Sequence, residues 1–342
     1  MHPTLEAACT HLGLTAPKLH ECWDRTEDNI SESMAYLASH QLGARSKLDV
    51  LVSGSLARGE VTENSDFDFF IVAHGLPEQP DETRQLLLLV EKLRDQLRYE
   101  PAGRTGMFGR VVAAADLTER IGLEQDTNAT HSLRILILLE SRSIYQRNLH
   151  EQLVDAILDR YLLDYLKKAK NGVPRFLFND VVRYWRTVAV DYQAKRWGEW
   201  GRGEKWGLRY LKLLVSRKLA FAGTITSLLL PAAKDEEANV DFFRKQFAMP
   251  PLARLAQIYN SLDEPQLDSL REVLAIADEF LELLADKQRR GVVEAVTEPR
   301  LETETSEFGR WRKRGNDLQV ALENIFFDSS LLGRLSRRYL SF

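Results

Sequence analysis

The sequence predicts an α+β fold: a small mixed sheet with flanking helices, followed by an all-α helical domain. Three observations predict it. Strand-like short apolar runs bounded by turn residues concentrate in the first 115 positions and nearly vanish from Thr127 onward. Helical periodicity at three and four residue spacing dominates from Thr127 onward. The chain has 342 residues, a length that suits two domains better than one. We divide it into an N-terminal helical segment packing on the core (1–42), the core (43–150) and a helical substrate-binding domain (151–342).

The elements follow in order. Residues 4–42 read as mostly helical, because ISESMAYLASHQL repeats its apolar residues at helix spacing. LDVLV, residues 48–52, is a buried strand ending at Ser53-Gly54. SLARGE has room for one and a half helical turns, and Thr62-Glu63-Asn64-Ser65 is a turn. DFDFFIV alternates acid and aromatic, which is strand period. Residues 80–100 form a long helix opened by proline, and 101–109, with three glycines, a loop. Residues 110–114 give a third strand. Asp116 is a plausible N-cap of the helix in LTERI, and Asp126-Thr127-Asn128 opens another helix. THSLRILILLESRSIY and the segments after it read as helices. They are broken at 171–174, at 201–203 and at Pro250-Pro251.

Composition bounds the function. A net charge of −4 excludes a uniformly basic nucleic-acid binder and leaves local patches open. Cys9 and Cys22 are no disulfide framework and fit reduced thiols. The N-terminus lacks the charged and apolar regions of a signal peptide. The longest strictly apolar runs fall short of the roughly 20 residues of a bilayer span. A cytoplasmic protein without membrane insertion is expected. The histidines match no common zinc spacing, and there is no Walker loop, nucleophile elbow or glycine-rich dinucleotide loop.

The chemistry concentrates in VSGSLARGEVTENSDFDFFIV, residues 52–72. Asp66 and Asp68, two apart on a strand, share a face, and Phe67 and Phe69 take the other. Two adjacent carboxylates repel unless a cation lies between them. Such hard oxygen ligands suit Mg²⁺ or Mn²⁺ completed by substrate phosphates. Gly54-Ser55 opens a short helix whose backbone N–H groups attract phosphate, and glycine lets a ligand approach closely. Arg58 adds a cationic fork to the same phosphates.

The order strand, Gly-Ser, Arg-Gly, Ser65-Asp66-Phe67-Asp68 and apolar strand resembles the DNA polymerase β-like nucleotidyltransferase superfamily. The core followed by helices also looks like the bacterial signal-protein uridylyltransferases and their stand-alone relatives, some of them in anti-phage operons. Residues 121–142, with Asp126-Thr127-Asn128 and Leu138-Leu139-Glu140-Ser141-Arg142, look like the helix after the core in those relatives. The resemblance implies that Gly54 and Ser55, with Arg58 and Ser65, hold the triphosphate, and that Asp66 and Asp68 bind two Mg²⁺, or Mn²⁺. It implies transfer of an NMP or dNMP from an NTP, ATP included, or a dNTP to an acceptor hydroxyl, releasing pyrophosphate.

Many members carry a third carboxylate on a later strand. Residues 109–114 contain no acid, so Asp116 and Asp126 stand as two open candidates. Arg104 in the 101–109 loop is a candidate phosphate contact. Arg183 and Arg186, one turn apart, lie in a stretch where basic residues alternate with Tyr184, Trp185, Tyr192, Trp197, Trp200, Trp206 and Tyr210. Such interleaving can track a strand and stack its bases, or it can be helix core with solvated basic flanks. This stretch leans the acceptor toward an oligonucleotide end, with a protein side chain, the chain itself or a small-molecule hydroxyl as alternatives. A partner protein from the same operon and a catalytically silent nucleotide-binding module also remain open.

Overall fold

The computed structural model describes residues 1–40, 46–76, 81–101, 108–163, 172–197, 205–236, 239–297 and 302–340. The chain divides into two compact units. One comprises Cys22–Lys167 with Asn239–Pro250, the other Met1–Glu21, Lys168–Ala238 and Pro251–Phe342. The division differs from the boundaries predicted at 42 and 150. The N-terminal segment is shared: residues 1–21 group with the helices and 22–40 with the sheet. Residues 151–163 and 239–250 also join the sheet.

In the sheet unit, β1 (Leu48–Ser53) is the buried central strand. β2 is Asp66–Phe67, β3 Phe69–Ala73, β4 Glu100–Pro101, β5 Val111–Ala113 and β6 Ser141–Ser143. β3 lies antiparallel to β1, pairing Val52 with Phe69 and Leu48 with Ala73. β5 runs parallel to β3, pairing Ile71 with Val111. β6 closes the other edge of β1, pairing Leu51 with Ser143. The sheet is therefore small and mixed, in the order β5-β3-β1-β6. β2 leaves it to pair in parallel with β4.

Strand period sets the two faces of the sheet. Leu48, Val50, Val52, Phe69 and Ile71 pack with Ile30 and Leu37 of the helix Pro17–Ser39 and with Leu86, Val90 and Leu93 of the helix Glu82–Gln96. These are α2 and α4; α1 is Pro3–His11 and α3 Ser55–Arg58. The opposite face carries Asp49, Leu51 and Ser53. It is covered from the chain following α5 (Ala114–Thr118) and α6 (Asn128–Glu140) by α7 (Arg147–Leu162). Asp49 is fully buried, and its Oδ1 accepts from Val50 N (2.8 Å), Ser143 Oγ (2.8 Å) and Gln146 N (2.7 Å). Gln146 is the N-cap of α7, so this one carboxyl fastens β1, β6 and the start of α7 together. The helix Val240–Ala248 joins the same unit through Arg244, whose Nε and Nη2 reach Asp155 of α7 at 2.6 and 2.8 Å.

β6 corrects the sequence reading, which ran one helix through Ser141-Arg142-Ser143. Three polar residues carry no strand period; their pairing with β1, some ninety positions away, decides the conformation.

The helical unit contains α8 (Arg175–Trp197), α9 (Trp206–Lys212), a π-helical turn Leu213–Arg217 and α10 (Lys218–Lys234). With Val240–Ala248 as α11, there follow α12 (Pro251–Ala256), α13 (Glu264–Ala285), α14 (Lys287–Glu294), α15 (Glu307–Glu323) and α16 (Gly333–Leu340). α10 is the core helix. A Cβ on its Gly223 would sit 2.0 Å from the Pro251 carbonyl oxygen, so α10 and α12 approach to a distance that only glycine permits. The N-terminal residues are tied in by Asp278 of α13, which accepts from Leu19 N at 2.8 Å, and by Arg271 Nε on the Leu12 carbonyl at 2.9 Å. Among the described residues, Trp206–Lys234 forms one helical run long and apolar enough by composition to cross a membrane, and most of it is buried inside the protein. Its length comes from polar residues between apolar runs that are individually short. Cys9 and Cys22 are both buried free thiols.

Candidate active site

β1 ends at Gly54, whose φ of +65° and ψ of −137° are open to glycine and strained for other residues. The chain then makes one helical turn, α3, and leaves it through Gly59 in the left-handed region at φ +76°. Glu60 N donates to Ser55 O at 2.9 Å and closes the turn. A side chain at 59 would also collide with Trp23, since a Cβ there would lie 2.5 Å from Cε3 of that ring. The next residues are held by α2: Thr26 Oγ1 accepts from Val61 N at 3.2 Å.

The returning strand brings in the acids. Phe67 is fully buried against Phe69 and Tyr99, with ring centroids 5.8 and 5.3 Å away. Burial raises the Tyr99 hydroxyl to about 12, and Asn29 Nδ2 donates to it at 2.5 Å. Asp66 and Asp68, on alternate positions, are half-buried. The Asp68 carbonyl accepts from Ser53 N at 2.9 Å, which sets the two chain segments side by side. The Asp68 carboxylate itself leans over the turn: a Cβ on Gly54 would be 3.0 Å from its Oδ2. Gly54, Ser55, Asp66 and Asp68 therefore lie in one corner of the unit.

The other predicted residues go elsewhere. Arg58 is buried between two carboxylates. Its Nε reaches Glu60 at 2.7 Å and its Nη1 reaches Glu140 at 2.6 Å. Burial alone would lower the pKa of this guanidinium, but Glu60 and Glu140 hold it above its ordinary value. Ser65 folds its own turn, accepting from Thr62 N at 3.0 Å.

Asp116 belongs to the first turn of α5, whose N-cap is Ala113, and it pairs with Arg120 at 2.9 Å. The register explains why it is no partner for Asp68. β5 runs parallel to β3 and reaches Ala113 opposite Ala73, five residues and ~16 Å beyond Asp68.

Asp126 is equally engaged. Its Oδ1 and Oδ2 take Nη1 and Nη2 of buried Arg134 at 3.0 and 2.7 Å, and Gly122 N adds 3.1 Å. Burial pushes this carboxyl up, yet the bonds to Arg134 and Gly122 hold it below its usual range. It anchors the loop before α6, whose N-cap is Thr127. Arg104 lies outside the described residues.

Arg183 and Arg186 are exposed on α8 in the helical unit. Trp197 and Trp200 of that stretch lie outside the described side chains. Trp185 stacks on Phe221 at 5.2 Å, and Tyr192, Trp206, Tyr210 and Phe308 form one cluster. Among the described residues, these rings have partners within the helices.

Sequence reasoning missed the partners. Glu140 was hidden at the end of a helix thought to continue, and Glu60 is the third residue of Arg-Gly-Glu. It also missed Glu100, which stands opposite Asp66 in the parallel pairing of β2 with β4. The signal for Glu100 was its place at the end of the 80–100 helix reading, where the chain becomes extended.

The segment that builds this corner has a known counterpart. Residues 38–105 match the family model of the nucleotidyltransferase domain. The match spans β1 to β4, both aspartates and the Gly54 turn, and it leaves the helical unit unmatched. No curated protein matches the chain. The general chemistry of a nucleotidyltransferase domain is nucleotidyl transfer from a nucleoside triphosphate, and such domains generally use divalent metals.

Among the described residues, no three His, Cys, Asp or Glu side chains cluster to hold a metal by themselves. The donor set fits a hard cation of another kind. Two carboxylates with oxygen ligands, beside a turn that keeps Cβ away, suit an ion that takes its remaining ligands from substrate phosphates.

Proposed function

We propose that the sheet unit transfers a nucleoside monophosphate from an NTP or dNTP to an acceptor hydroxyl. The observation that carries this reading is the Asp68 carboxylate lying against Gly54. It puts acid oxygens beside a turn whose backbone admits phosphate. The Gly54-Ser55 turn holds the β- and γ-phosphates through backbone N–H groups and the Ser55 hydroxyl. Asp66 and Asp68 would hold divalent cations, Mg²⁺ or Mn²⁺. Cations there supply Lewis-acid stabilisation of charge on the reacting phosphoryl oxygens.

The acceptor oxygen forms a bond to the α-phosphorus, the bond from that phosphorus to the bridging oxygen breaks, and pyrophosphate leaves. The hydroxyl proton requires a base. Asp116 and Asp126 are engaged elsewhere, so the proton passes to the substrate or to solvent. Arg58 has a positioning role: it fixes α3, and so the Gly54 turn, through Glu60 and Glu140. An oligonucleotide end is the favoured acceptor, now on the exposed arginines of the helical unit rather than on its aromatics.

The test incubates purified protein with Mg²⁺ or Mn²⁺ and each α-labelled NTP and dNTP, and resolves free products and protein-attached label on a denaturing gel. We expect a labelled product that Asp66→Asn and Asp68→Asn reduce at least about a thousandfold. Label that persists in both aspartate variants overturns the site. Label on the polypeptide itself moves the acceptor to a protein side chain.

A further inference from the structure

The helical unit carries cations that the fold does not neutralise. Arg175 opens α8, and Arg338 lies on α16. Their guanidinium carbons stand 5.8 and 5.6 Å from the centroid of one ring, Tyr339. That ring is itself seated 5.8 Å from the ring of Phe178. Both arginines are exposed, and neither has a carboxylate partner among the described residues. Cation–π contact holds each guanidinium to the ring face. It does nothing for the repulsion between two like charges gathered at one ring, which an anion would relieve.

The surface continues in both helices. α16 contains Arg334, Arg337 and Arg338 and no acid. Arg337 is paired loosely with Asp328 at 3.4 Å, while exposed Arg334 has no carboxylate among the described residues. On α8, Arg186 is three helical turns beyond Arg175 on the same face, ~16 Å away, and is also exposed without such a partner. The first turn of α8 has no acid. Among the described residues most buried or half-buried arginines meet carboxylates, whereas this row over two adjoining helices does not.

We infer that the face built by Arg175, Arg338 and Tyr339, extended by Arg186 and Arg334, binds the phosphates of a single-stranded nucleic acid. The chemistry favours that occupant over an acidic protein. Guanidinium forks match phosphate oxygens bidentately. A line of cations ~16 Å long spans several successive phosphates of a strand. An aromatic ring flanked by guanidiniums is a feature that strand-binding surfaces use. This inference concerns binding alone and does not depend on the proposed transfer reaction, although a bound strand end is the acceptor which that reading favours.

The experiment measures fluorescence anisotropy of a labelled single-stranded oligonucleotide with the full chain across a salt series. Variants are Arg175→Ala/Arg338→Ala, its Lys/Lys counterpart, and Asp66→Asn/Asp68→Asn as a catalytically disabled control. We expect salt-dependent binding that the Ala/Ala variant weakens about tenfold or more, with the slope of log K against log salt falling by about 1.4. The Lys/Lys variant should retain the slope, because charge is kept. The aspartate control should bind as the wild type does, which separates this inference from the transfer reaction. The two arginine variants should melt as the wild type does, since the replaced side chains are exposed. Wild-type binding that the Ala/Ala change leaves intact overturns the inference. So does equal capture by poly-glutamate, or capture by phosphatidylserine vesicles without oligonucleotide binding.

Discussion

The arginines around the Gly54 turn and those on α8 and α16 have opposite fates. Arg58 is buried between Glu60 and Glu140, and Arg134 grips Asp126 with two nitrogens. Arg175, Arg186, Arg334 and Arg338 are exposed and have no carboxylate among the described residues. An arginine in sequence is the same residue in both regions. Its surroundings decide whether it holds the fold together or remains open to a ligand.

The sharpest way to break this contrast is to remove Arg58. If it is structural, Arg58→Ala removes the guanidinium that meets the buried Glu140 carboxylate, 2% exposed, at 2.6 Å. That should cost about 3–5 kcal/mol of stability in denaturant unfolding. Replacing Glu60 and Glu140 as well by Gln should recover much of the loss. A stability change below about 1 kcal/mol, with KM for the triphosphate strongly raised, would instead make Arg58 a phosphate ligand. Arg186→Ala is the counterpart on the helical unit and should leave stability within about 0.5 kcal/mol.

A smaller effect separates backbone from charge at the same turn. Gly59→Ala places a Cβ at φ +76° and within 2.5 Å of Trp23 Cε3. Left-handed strain and overpacking together should cost about 2–4 kcal/mol, read as a lower denaturation midpoint with unchanged m-value. Gly13 has φ +60° but nothing within 4 Å of a Cβ. Gly13→Ala should therefore cost less, about 1 kcal/mol from the backbone alone. Equal costs would show that Trp23 yields and does not brace the turn.

The local part of the site was legible in the sequence. β1, the Gly-Ser turn, the alternation of Asp66 and Asp68 with Phe67 and Phe69, and the helix Glu82–Gln96 follow from periods and turn residues within a few positions. What was not legible depends on distant pairing. Arg58 looked available for phosphate because Glu140 is 82 positions away. Asp126 looked available because Arg134, eight positions on, is not a helical neighbour by the three-and-four rule. Ser141–Ser143 became a strand only because β1 has an open edge there. The aromatics of α8 and α9 fitted a stacking surface and a helix core equally well until Phe221 and Phe308 supplied their partners.

The smallest effect lies on the far side of β1, where a buried carboxyl and a half-buried imidazole titrate in opposition. Burial raises the Asp49 carboxyl to about 7, against the bonds from Gln146, Ser143 and Val50. Burial lowers the His150 imidazole to about 4, and its Nε2 meets Ser141 Oγ at 2.9 Å. A folded carboxyl with a raised pKa binds more protons than the unfolded chain, so its contribution falls as pH rises from about 4 to about 7. A folded imidazole with a lowered pKa binds fewer, so its contribution rises with pH from about 4 to about 6.5. The two slopes oppose one another across nearly the same window, and the wild type should show little net dependence from this pair. Asp49→Asn keeps an oxygen that can accept the same bonds but removes the titration. Its stability should rise between pH 4.5 and 6.5, by about 1–3 kcal/mol. His150→Gln should fall over the same range by a similar amount. Denaturant unfolding at several pH values reads both signs directly. Slopes of the same sign in the two variants would mean that this pair does not control this unit's response to pH, and that the exposed carboxylates do.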